Sequence, residues 1–404
     1  MGIIVMKFGG EQVETTMGIK EIVSKVKRRM NEGKQVIVVV SSMGFVRQQL
    51  RQYMIEITDE PNKRERDALL ATGAQMTSSL LAMALIEAQI PAISLNAWQA
   101  GVKTDAIHGH ARIEQVQHER VQQCLEEGKV VVYAGHQGVT PIGDVTTFGK
   151  GGAELAAVAL ATKFQVEQVE IYTNVEGVYT ADPNIVPKAR KLEAVSYDEM
   201  LEFANLGAYI IHPRAVELAK KFSIPLVVRS NDQTLEGTVI KEEVQMEKNL
   251  VVRGVAYESD IVRLTVGCQH HTDGLLAPIF NALARHGINV DIIVQSVING
   301  VNPTVSFTIS KEEFAECLRV LEVSKASLGF SFADFEVGLA KVSIVGSGMV
   351  SNPGVAARMF DRLRKEQIEV KMVSTSEIKV SVVVKQDDMV RAANVLHDEF
   401  NLAV

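Results

Sequence analysis

The feature that most constrains the fold lies in roughly the first 240 residues, where short apolar runs alternate with amphipathic stretches. This rhythm is typical of a sheet covered by helices. Several apolar runs end in Gly or Ser, and ligands of open α/β sheets bind beyond the carboxyl ends of such strands. The pattern predicts strands at Ile3–Phe8, Gln35–Val40, Ala92–Leu95, Val130–Tyr133, Gln168–Thr173 and Leu226–Arg229. It predicts helices at Leu69–Glu87, Ala153–Phe164 and Pro213–Phe222.

The last third of the chain contains a weak internal repeat. The segment that starts at Thr272 (TDGLLAPIFNAL) aligns with the segment that starts at Asn352 (NPGVAARMFDRL), 80 residues later. Each copy is typical of a small α+β module with the order strand, turn, helix, strand, strand. The polar segment Asn231–Asn249 is interpreted as a connection between domains. The sequence therefore predicts three domains, at residues 1–240, 241–335 and 336–404, with the repeated half serving regulation rather than catalysis.

Composition narrows the functional classes. The 404 residues include 42 Lys plus Arg and 49 Asp plus Glu, a formal net charge of −7, so no basic surface for nucleic acid or anionic membranes is expected. No apolar run approaches the ~18 residues of a membrane span, and the N-terminus lacks the pattern of a signal peptide. The three cysteines are too widely spaced for a metal or disulfide framework. We expect a cytoplasmic protein with no membrane or nucleic-acid partner.

Two glycine-rich loops are the first candidates for chemistry. The first follows the first predicted strand and contains Lys7, Gly9 and Gly10. The second directly precedes a predicted helix and contains Lys150, Gly151 and Gly152. Backbone N–H groups at a helix N-terminus, together with a lysine, suit a phosphate. Either loop alone is more often a tight turn. The pair indicates phosphoryl transfer, in which catalysis is largely positioning and charge neutralisation.

A third element, the segment Thr173–Leu192, leads from a strand end through a turn to a polar stretch. Its candidate residues are Thr173, Asn174, Tyr179 and Asp182. The segment could form a lip around a nucleotide base, or it could be a long ordered loop. The sequence pattern leaves both alternatives open.

Taken in order, these features resemble the aspartokinase family, and the resemblance covers essentially the whole chain. The matching stretches are KFGG (7–10), ERDALLATG (65–73), AWQAG (97–101), IHGHAR (107–112), GVYTADP (177–183), YDEMLEFANLGA (197–208), HPRAVELA (212–219), GINVDIIVQS (287–296), VSIVGSGMVSNPGVAARMF (342–360) and MVSTSEIKVSVVV (372–384). The resemblance implies an α/β amino-acid-kinase domain, with a mainly parallel sheet sandwiched by helices, followed by two α+β ACT modules. The implied reaction is the ATP-dependent phosphorylation of the L-aspartate β-carboxylate in the lysine, threonine and methionine pathway.

The resemblance also implies partners and site residues. An active enzyme would use ATP and Mg²⁺, lysine or threonine would be the effector, and a homodimer would form through the ACT modules, with a mixed oligomer with an active aspartokinase as the alternative. The implied catalytic residues are Lys7, Lys150 and the substituted Glu154, and no protein metal site is implied. The implied phosphate and ATP site comprises Lys7, Gly9, Gly10, Gly151, Gly152, Thr173, Asn174, Tyr179 and Asp182. The implied, altered substrate site comprises Ser41, Arg47, Ala74 and Lys150. The implied effector sites comprise Asp273, Gly274, Leu275, Gln295, Asn352, Gly354, Val355, Thr375 and Ser376.

Departures from the family pattern gather in the ligand-facing motifs. The substituted positions, with the family residue in parentheses, are Glu11 (Thr), Gln12 (Ser), Arg47 (Thr), Gln48 (Asp), Ala74 (Glu), His136 (Phe), Lys150 (Arg), Ala153 (Ser), Glu154 (Asp), Asn174 (Asp), Glu176 (Asp) and Asn184 (Arg). Ala74 leaves the substrate ammonium without its anion. Lys150 cannot reproduce a bidentate guanidinium–carboxylate pair. The sequence thus predicts weakened or lost catalysis. The alternatives are an active aspartokinase, an amino-acid-sensing regulatory subunit of one, and a carboxylate kinase with a changed substrate.

Overall fold

The computed structural model describes residues 2–164, 166–205, 210–231, 236–242, 251–268, 276–296, 303–328 and 330–403. The chain divides into two compact units. The first unit comprises Met1–Tyr179 and Lys191–Met246, and the second comprises Thr180–Arg190 and Glu247–Val404. The short segment Thr180–Arg190 therefore groups with the C-terminal half of the chain, although the sequence placed it among candidate nucleotide-binding residues.

The strands of the first unit are β1 (Ile3–Phe8), β2 (Gln35–Val40), β3 (Ala92–Leu95), β4 (Val102–Thr104), β5 (Ile113–Val116), β6 (Val130–Ala134), β7 (Gln137–Val139), β8 (Val145–Thr147), β9 (Val166–Tyr172), β10 (Ala194–Ser196), β11 (Leu226–Arg229) and β12 (Thr238–Lys241). Its helices are α1 (Thr16–Asn31), α2 (Gly44–Ile57), α3 (Lys63–Glu87), α4 (Ala97–Ala100), α5 (Glu119–Glu126), α6 (Gly152–Ala161), α7 (Tyr197–Asn205) and α8 (Pro213–Lys221).

The main sheet of the first unit has the strand order β10-β12-β11-β9-β1-β2-β6-β3. The pairs from β11 across to β3 are all parallel, and β12 runs antiparallel to β11. On one face, Met6 of β1 and Val38 of β2 pack in a core with Leu81 of α3 and with α1. Helix α6, whose residues are all buried except the half-buried Glu154, contacts β1, β2 and β9. The predicted α/β sheet sandwiched by helices is confirmed.

The predicted elements are confirmed with small shifts at their ends, apart from two corrections. Helix α3 begins at Lys63 rather than Leu69, because the Asn62 side chain accepts the backbone N–H groups of Arg64 and Glu65 and so caps an earlier first turn. The segment Asn231–Asn249 is not only a connection. It contains β12, which pairs with both β10 and β11 in the main sheet.

Helix α3 is the one helix among the described residues that is long and apolar enough to cross a membrane by length and composition alone. Of its most apolar part, 44% is buried inside the protein. The helix packs against α1, β3 and β6. Such a helix is typical of the core of an α/β domain, so its hydropathy is weak support for a membrane span.

A second, smaller sheet of the first unit has the order β5-β4-β7-β8. Strand β7 follows β6 almost directly, and β8 leads into the second glycine-rich loop before α6. Strand β8 also contacts α3. This sheet therefore holds the second loop beside the carboxyl ends of the main strands.

The strands of the second unit are β13 (Gly254–Cys268), β14 (Ile293–Ser296), β15 (Thr304–Ser310), β16 (Phe330–Val345), β17 (Met372–Thr375) and β18 (Lys379–Lys385). Its helices are α9 (Leu276–Arg285), α10 (Phe314–Leu328), α11 (Val355–Lys365) and α12 (Met389–Glu399). The strands form one sheet in the order β14-β15-β13-β16-β18-β17.

Both copies of the repeat are present in this sheet, and β13 and β16 are the antiparallel strands that join them. Each copy ends in a further helix, α10 or α12, so the order is strand, helix, strand, strand, helix. The expected order omitted this last helix. Strand β16 runs without interruption through the expected boundary between residues 335 and 336.

Candidate functional site

The carboxyl ends of β1, β2, β6 and β9 lie side by side at one edge of the main sheet. The chain crosses from β1 to β2 on one side, and the later strand β9 pairs with β1 on the other. This change of direction at β1 is a topological switch point, where open α/β sheets bind ligands. The residues that follow the four strands are Gly9-Gly10, Ser41, Gly135-His136 and Thr173-Asn174.

The side chain of Gln12 lies across this switch point. Its Oε1 accepts the backbone N–H of Gly9 at 2.9 Å, and its Nε2 donates to Oδ1 of Asn174 at 2.6 Å. Gln12 is 4% exposed. A backbone donor that would suit a phosphate is thus satisfied by the protein itself, and an amide bridge joins the loops after β1 and β9.

Lys7 and Glu154 form the central ion pair of the site. The Nζ atom of Lys7 lies 2.9 Å from Oε1 of Glu154, and both side chains are largely buried. The other carboxylate oxygen of Glu154 accepts the backbone N–H of His212 at 2.9 Å. Two of the three predicted catalytic residues are therefore in direct contact, and the carboxylate is anchored to the start of α8.

The second glycine-rich loop approaches two histidine rings so closely that it has no room for side chains. Gly151 has φ +70°, and a Cβ atom placed there would lie 2.2 Å from Cβ of His212. A Cβ atom on Gly152 would lie 2.5 Å from Nδ1 of His136. Glycine is required at both positions, by the left-handed backbone in the first case and by the close contact in both.

These loops border a cavity of about 820 Å³ in the first unit. Its cationic lining residues are Lys7, Arg47, Arg51, Arg66 and Lys150, and its acidic lining residue in the described chain is Glu154. Ala74 lines the wall on the α3 side and is 2% exposed. The cavity therefore carries a large cationic excess, and no described lining carboxylate other than the one paired with Lys7 could meet an ammonium group.

Arg47 and Arg51 are one turn apart on α2 and face the cavity. Within the described residues, neither guanidinium forms an ion pair or a side-chain hydrogen bond. Burial lowers the pKa of His136 to about 4, and repulsion from Arg47 and Arg51 adds to the effect. The ring of His136 is thus neutral near pH 7 and lies within electrostatic range of both arginines.

Asp67, on α3, holds the frame of the cavity. It is fully buried, and its carboxylate accepts the backbone N–H of Gly109 at 2.7 Å, the backbone N–H of Thr147 at 2.8 Å and the hydroxyl of Thr147 at 2.8 Å. Gly109 belongs to the loop between β4 and β5, and Thr147 ends β8. One carboxylate therefore fixes α3, a neighbouring loop and the second glycine-rich loop together.

The predicted nucleotide-binding residues divide between the two units. Thr173 and Asn174 follow β9 in the first unit, and the Tyr179 hydroxyl donates to Glu176 there at 3.0 Å. Asp182 lies in the second unit, where its carboxylate accepts the Tyr257 hydroxyl at 2.8 Å. Sequence order alone had grouped the four residues.

The predicted effector residues are only partly described. Asp273, Gly274 and Leu275 lie outside the described residues. Gln295 is exposed on the edge strand β14. In the second copy, Asn352, Gly354 and Val355 stand at the start of α11, and Gly354 has φ +98°.

Thr375 ends β17, and the backbone N–H of Ser376 donates to Lys379 in the adjoining turn. Because Val345 at the end of β16 pairs with Lys379, this turn and the loop that leads to α11 share one edge of the sheet. The two segments that carry the predicted residues of the second copy therefore lie at the same end of the sheet.

No group of three or more His, Cys, Asp or Glu side chains in the described part of the chain is placed to hold a metal ion. A site for Mg²⁺ built from three or more such side chains is therefore not found among the described residues. No chemical step below depends on that ion.

Sequence reasoning missed Arg51 and Asp67. The signal for Arg51 was its spacing of four from Arg47, which places both on one helical face once α2 is recognised. Asp67 could have been noticed because it is an acidic residue directly before the apolar part of the predicted helix.

Comparisons with known proteins agree with the fold. The model of the amino acid kinase family matches residues 2–230, and that of the ACT domain matches residues 342–400. An aspartokinase of Geobacillus stearothermophilus is 49% identical over 404 residues, covering 100% of this chain and 98% of the relative. E. coli aspartokinase III in complex with aspartate and ADP has the same fold (TM-score 0.81, 23% identity, covering 98% of this chain and 99% of that chain).

The same E. coli protein in complex with lysine and aspartate gives a TM-score of 0.77 at 23% identity, covering 98% and 99% of the two chains. At these identities the likeness to the solved structures concerns the fold, whereas the sequence identity to the Geobacillus relative extends over the full length of the chain. With an amino acid kinase domain, an ACT domain and this full-length identity, the chain belongs to the aspartokinase family.

Proposed function

We propose that this member of the aspartokinase family phosphorylates aspartate weakly or not at all. The observation that carries the proposal is the Gln12 side chain, which uses the Gly9 N–H and Asn174 at the switch point where a nucleotide phosphate would be expected. A phosphate must displace this amide before it can use the same donor, and displacement leaves two polar partners to be satisfied again.

The cavity supplies a second argument. The family holds the substrate ammonium with a Glu at the position of Ala74, and in this chain the remaining described lining carboxylate, Glu154, is paired with Lys7. An ammonium group in a cationic cavity without an anion is strongly disfavoured. Aspartate should therefore bind poorly even if ATP binds.

The test is a hydroxamate assay with ATP, Mg²⁺ and aspartate. The natural chain is compared with a variant that carries Glu11→Thr, Gln12→Ser, Ala74→Glu, Lys150→Arg, Ala153→Ser and Glu154→Asp. Because misplacement of reacting groups by ~1 Å can cost about 10²-fold, we expect turnover of the natural chain at least ~10²-fold below that of a folded revertant. Turnover by the natural chain that equals that of the revertant or of an active relative would overturn the proposal.

The remaining assignments also belong to this proposal. The ATP and phosphate site is assigned to Lys7, Gly9, Gly10, Gly151, Gly152, Thr173, Asn174 and Tyr179, all in the first unit. The expected domain limits at residues 240 and 335 fall within β12 and β16, so the limits are placed outside these strands. Lysine, which a solved E. coli relative binds, or threonine is assigned as effector of the C-terminal modules. We place the chain in the cytoplasm as a homodimer, which light scattering of the purified chain would test.

A regulatory subunit is the second candidate function. Two observations favour this role. Both repeats of the second unit share one continuous sheet. The cavity of the first unit has Ala74 where the family has the Glu that pairs with the substrate ammonium. The test is to mix the chain with an active aspartokinase and titrate lysine and threonine. A shift in the inhibition curve together with a mixed oligomer on light scattering would support this role. Two separate homo-oligomers with unchanged inhibition would exclude it.

A further inference from the structure

The cavity of the first unit combines three features that bear on what it binds. It is lined by five cationic side chains, its Lys7–Glu154 pair leaves no described lining carboxylate without a cation, and Ala74 closes the wall where the family has a Glu. The volume of about 820 Å³ is typical of small-molecule sites. Chemistry of this kind selects anionic groups and rejects ammonium groups.

Arg47 and Arg51 add two adjacent guanidinium groups to the positive charge of the cavity. Their spacing of four residues places both guanidinium groups on the same face of α2. Neither has a described partner within the protein, so their donors face solvent and the cavity. Guanidinium groups bind carboxylates and phosphates through paired hydrogen bonds, and two of them one turn apart can hold one anionic group on each or share one.

The start of α6 offers a second anchor for an anion in the cavity lining. Lys7 is held by Glu154, and Gly151 and Gly152 begin α6, which presents N-terminal backbone donors beside Lys150. The neutral ring of His136 lies within electrostatic range of the two arginines and lines the space. A ligand with two anionic groups would therefore find cations on α2 and further cations beside the start of α6.

We propose that the cavity binds a small metabolite that carries two or more carboxylate or phosphate groups and no ammonium group, with Arg47 and Arg51 as the residues that determine this preference. This inference rests on the proposed function, because it gives the altered pocket a ligand class that replaces aspartate. It concerns binding and includes no transfer step.

The experiment measures binding to the full-length chain by isothermal titration calorimetry. The probes are succinate, which is aspartate without its amino group, 3-phosphoglycerate, which carries a phosphate in place of one carboxylate, and L-aspartate. We expect succinate or 3-phosphoglycerate to bind at least about tenfold more tightly than aspartate, because one unpaired ammonium group costs at least that factor. Tight binding of succinate alone indicates a dicarboxylate, and tight binding of 3-phosphoglycerate alone indicates a phosphorylated acid.

The variant Arg47→Ala/Arg51→Ala should weaken the better probe by about tenfold or more. Lys20→Ala/Lys27→Ala is the matched control, because it removes two charges of the same sign from exposed positions of α1 that do not line the cavity. The control should bind the probe within about twofold of the natural chain. Both variants are compared with the natural chain by circular dichroism, and Arg47→Lys/Arg51→Lys keeps the charge if the alanine variant does not fold.

Three results would overturn the inference: aspartate binding as tightly as succinate and 3-phosphoglycerate, no binding of any probe at 10 mM (roughly the weakest affinity a useful metabolite site would show), or equal losses in the arginine variant and the lysine control. These outcomes are independent of the hydroxamate assay. If the natural chain turns over aspartate as fast as the revertant, the proposed function is wrong, but the binding preference can still be measured. If there is no turnover and no preference among the three probes, only the inference about the ligand class is wrong.

Discussion

The amide of Gln12 joins the loop after β1 to the loop after β9 through its hydrogen bond to Asn174 at 2.6 Å. The same side chain accepts the Gly9 N–H, so both ends of the amide are used at the switch point of the sheet. A side chain in this position competes with any phosphate for the same backbone donor. Nucleotide binding at this point of the sheet therefore requires that the Gln12 side chain move away from the Gly9 N–H.

The variant Gln12→Ser should increase the affinity for ADP by about tenfold, because the Gly9 N–H is freed and no buried amide has to be displaced. The measurement is calorimetry with MgADP on the natural chain and the variant. Gln49→Ser, at an exposed position of α2 that does not line the cavity, is the matched control and should leave the affinity unchanged. An affinity for ADP that stays the same or falls in Gln12→Ser would show that the amide supports the loop instead of blocking it.

Asp67 is expected to be a major determinant of stability in the first unit. Replacing it by Ala leaves two backbone N–H groups and a hydroxyl without their acceptor in a fully buried site, so we expect a loss of about 3–5 kcal/mol in the free energy of unfolding. Urea denaturation monitored by circular dichroism measures this loss. Asp59→Ala, an exposed aspartate in the loop before α3, should change the stability by less than about 0.5 kcal/mol. Similar losses in both variants would contradict the role assigned to Asp67.

His136 should make the stability depend on pH. Burial lowers the pKa of His136 to about 4, against an ordinary value near 6.5 in the unfolded chain. Between these two values the unfolded chain binds the proton and the native chain does not, so stability falls as the pH falls from about 6.5 toward 4. Above about pH 7 the residue is neutral in both states and contributes no pH dependence.

The linkage predicts a loss of about 2 kcal/mol from His136 between pH 7.5 and pH 5. Urea denaturation at the two pH values measures the loss in the natural chain and in His136→Phe, which has the family residue and cannot titrate. The other histidines are common to both chains, so the difference between the two losses isolates His136. Equal losses would mean that the ring is protonated in the native state at pH 5.

Among the described strands of the main sheet, the sequence predicted six, and β1 and β2 show why, because they are largely apolar runs that are almost wholly buried. It did not predict the short strands β10 and β12. It did not predict α2, and the reason is physical. None of the residues of Gly44–Ile57 is buried, and exposed apolar residues such as Phe45 and Ile55 lie off the face of Val46 and Leu50, which blurs the helical period. Because α2 was not predicted, the sequence analysis did not recognise that Arg47 and Arg51 lie on the same face of one helix.

Contacts between distant parts of the chain were beyond prediction for a different reason. The substitution at Gln12 was visible in the sequence, but its partner Asn174 lies 162 residues away, and the direction of an amide cannot be read from a pattern. The assignment of Asp182 to a nucleotide site followed from the family resemblance and stays a prediction. Its hydrogen bond to Tyr257 within the second unit depends on packing that has no local signal.

Ala74 is the position at which a single change should shift the ligand preference of the cavity. It lines the wall formed by α3 and is 2% exposed, and the family residue there is a Glu that holds the substrate ammonium. The variant Ala74→Glu introduces a carboxylate into a space that is rich in cations. It should raise the affinity for aspartate relative to succinate by about tenfold or more, because the ammonium gains a partner while the second carboxylate of succinate meets a like charge.

Ala74→Gln is the matched control, since it has nearly the same size as Glu and no charge. If the ratio of the aspartate and succinate affinities changes in the Glu variant and stays constant in the Gln variant, charge at this position selects the ligand. If both affinities fall together in both variants, the added volume has closed the cavity. The small size of Ala74, rather than the charge at this position, then determines binding. A ratio that stays constant in a folded Ala74→Glu chain would place the ammonium-selecting group elsewhere in the cavity and contradict the role assigned to this position.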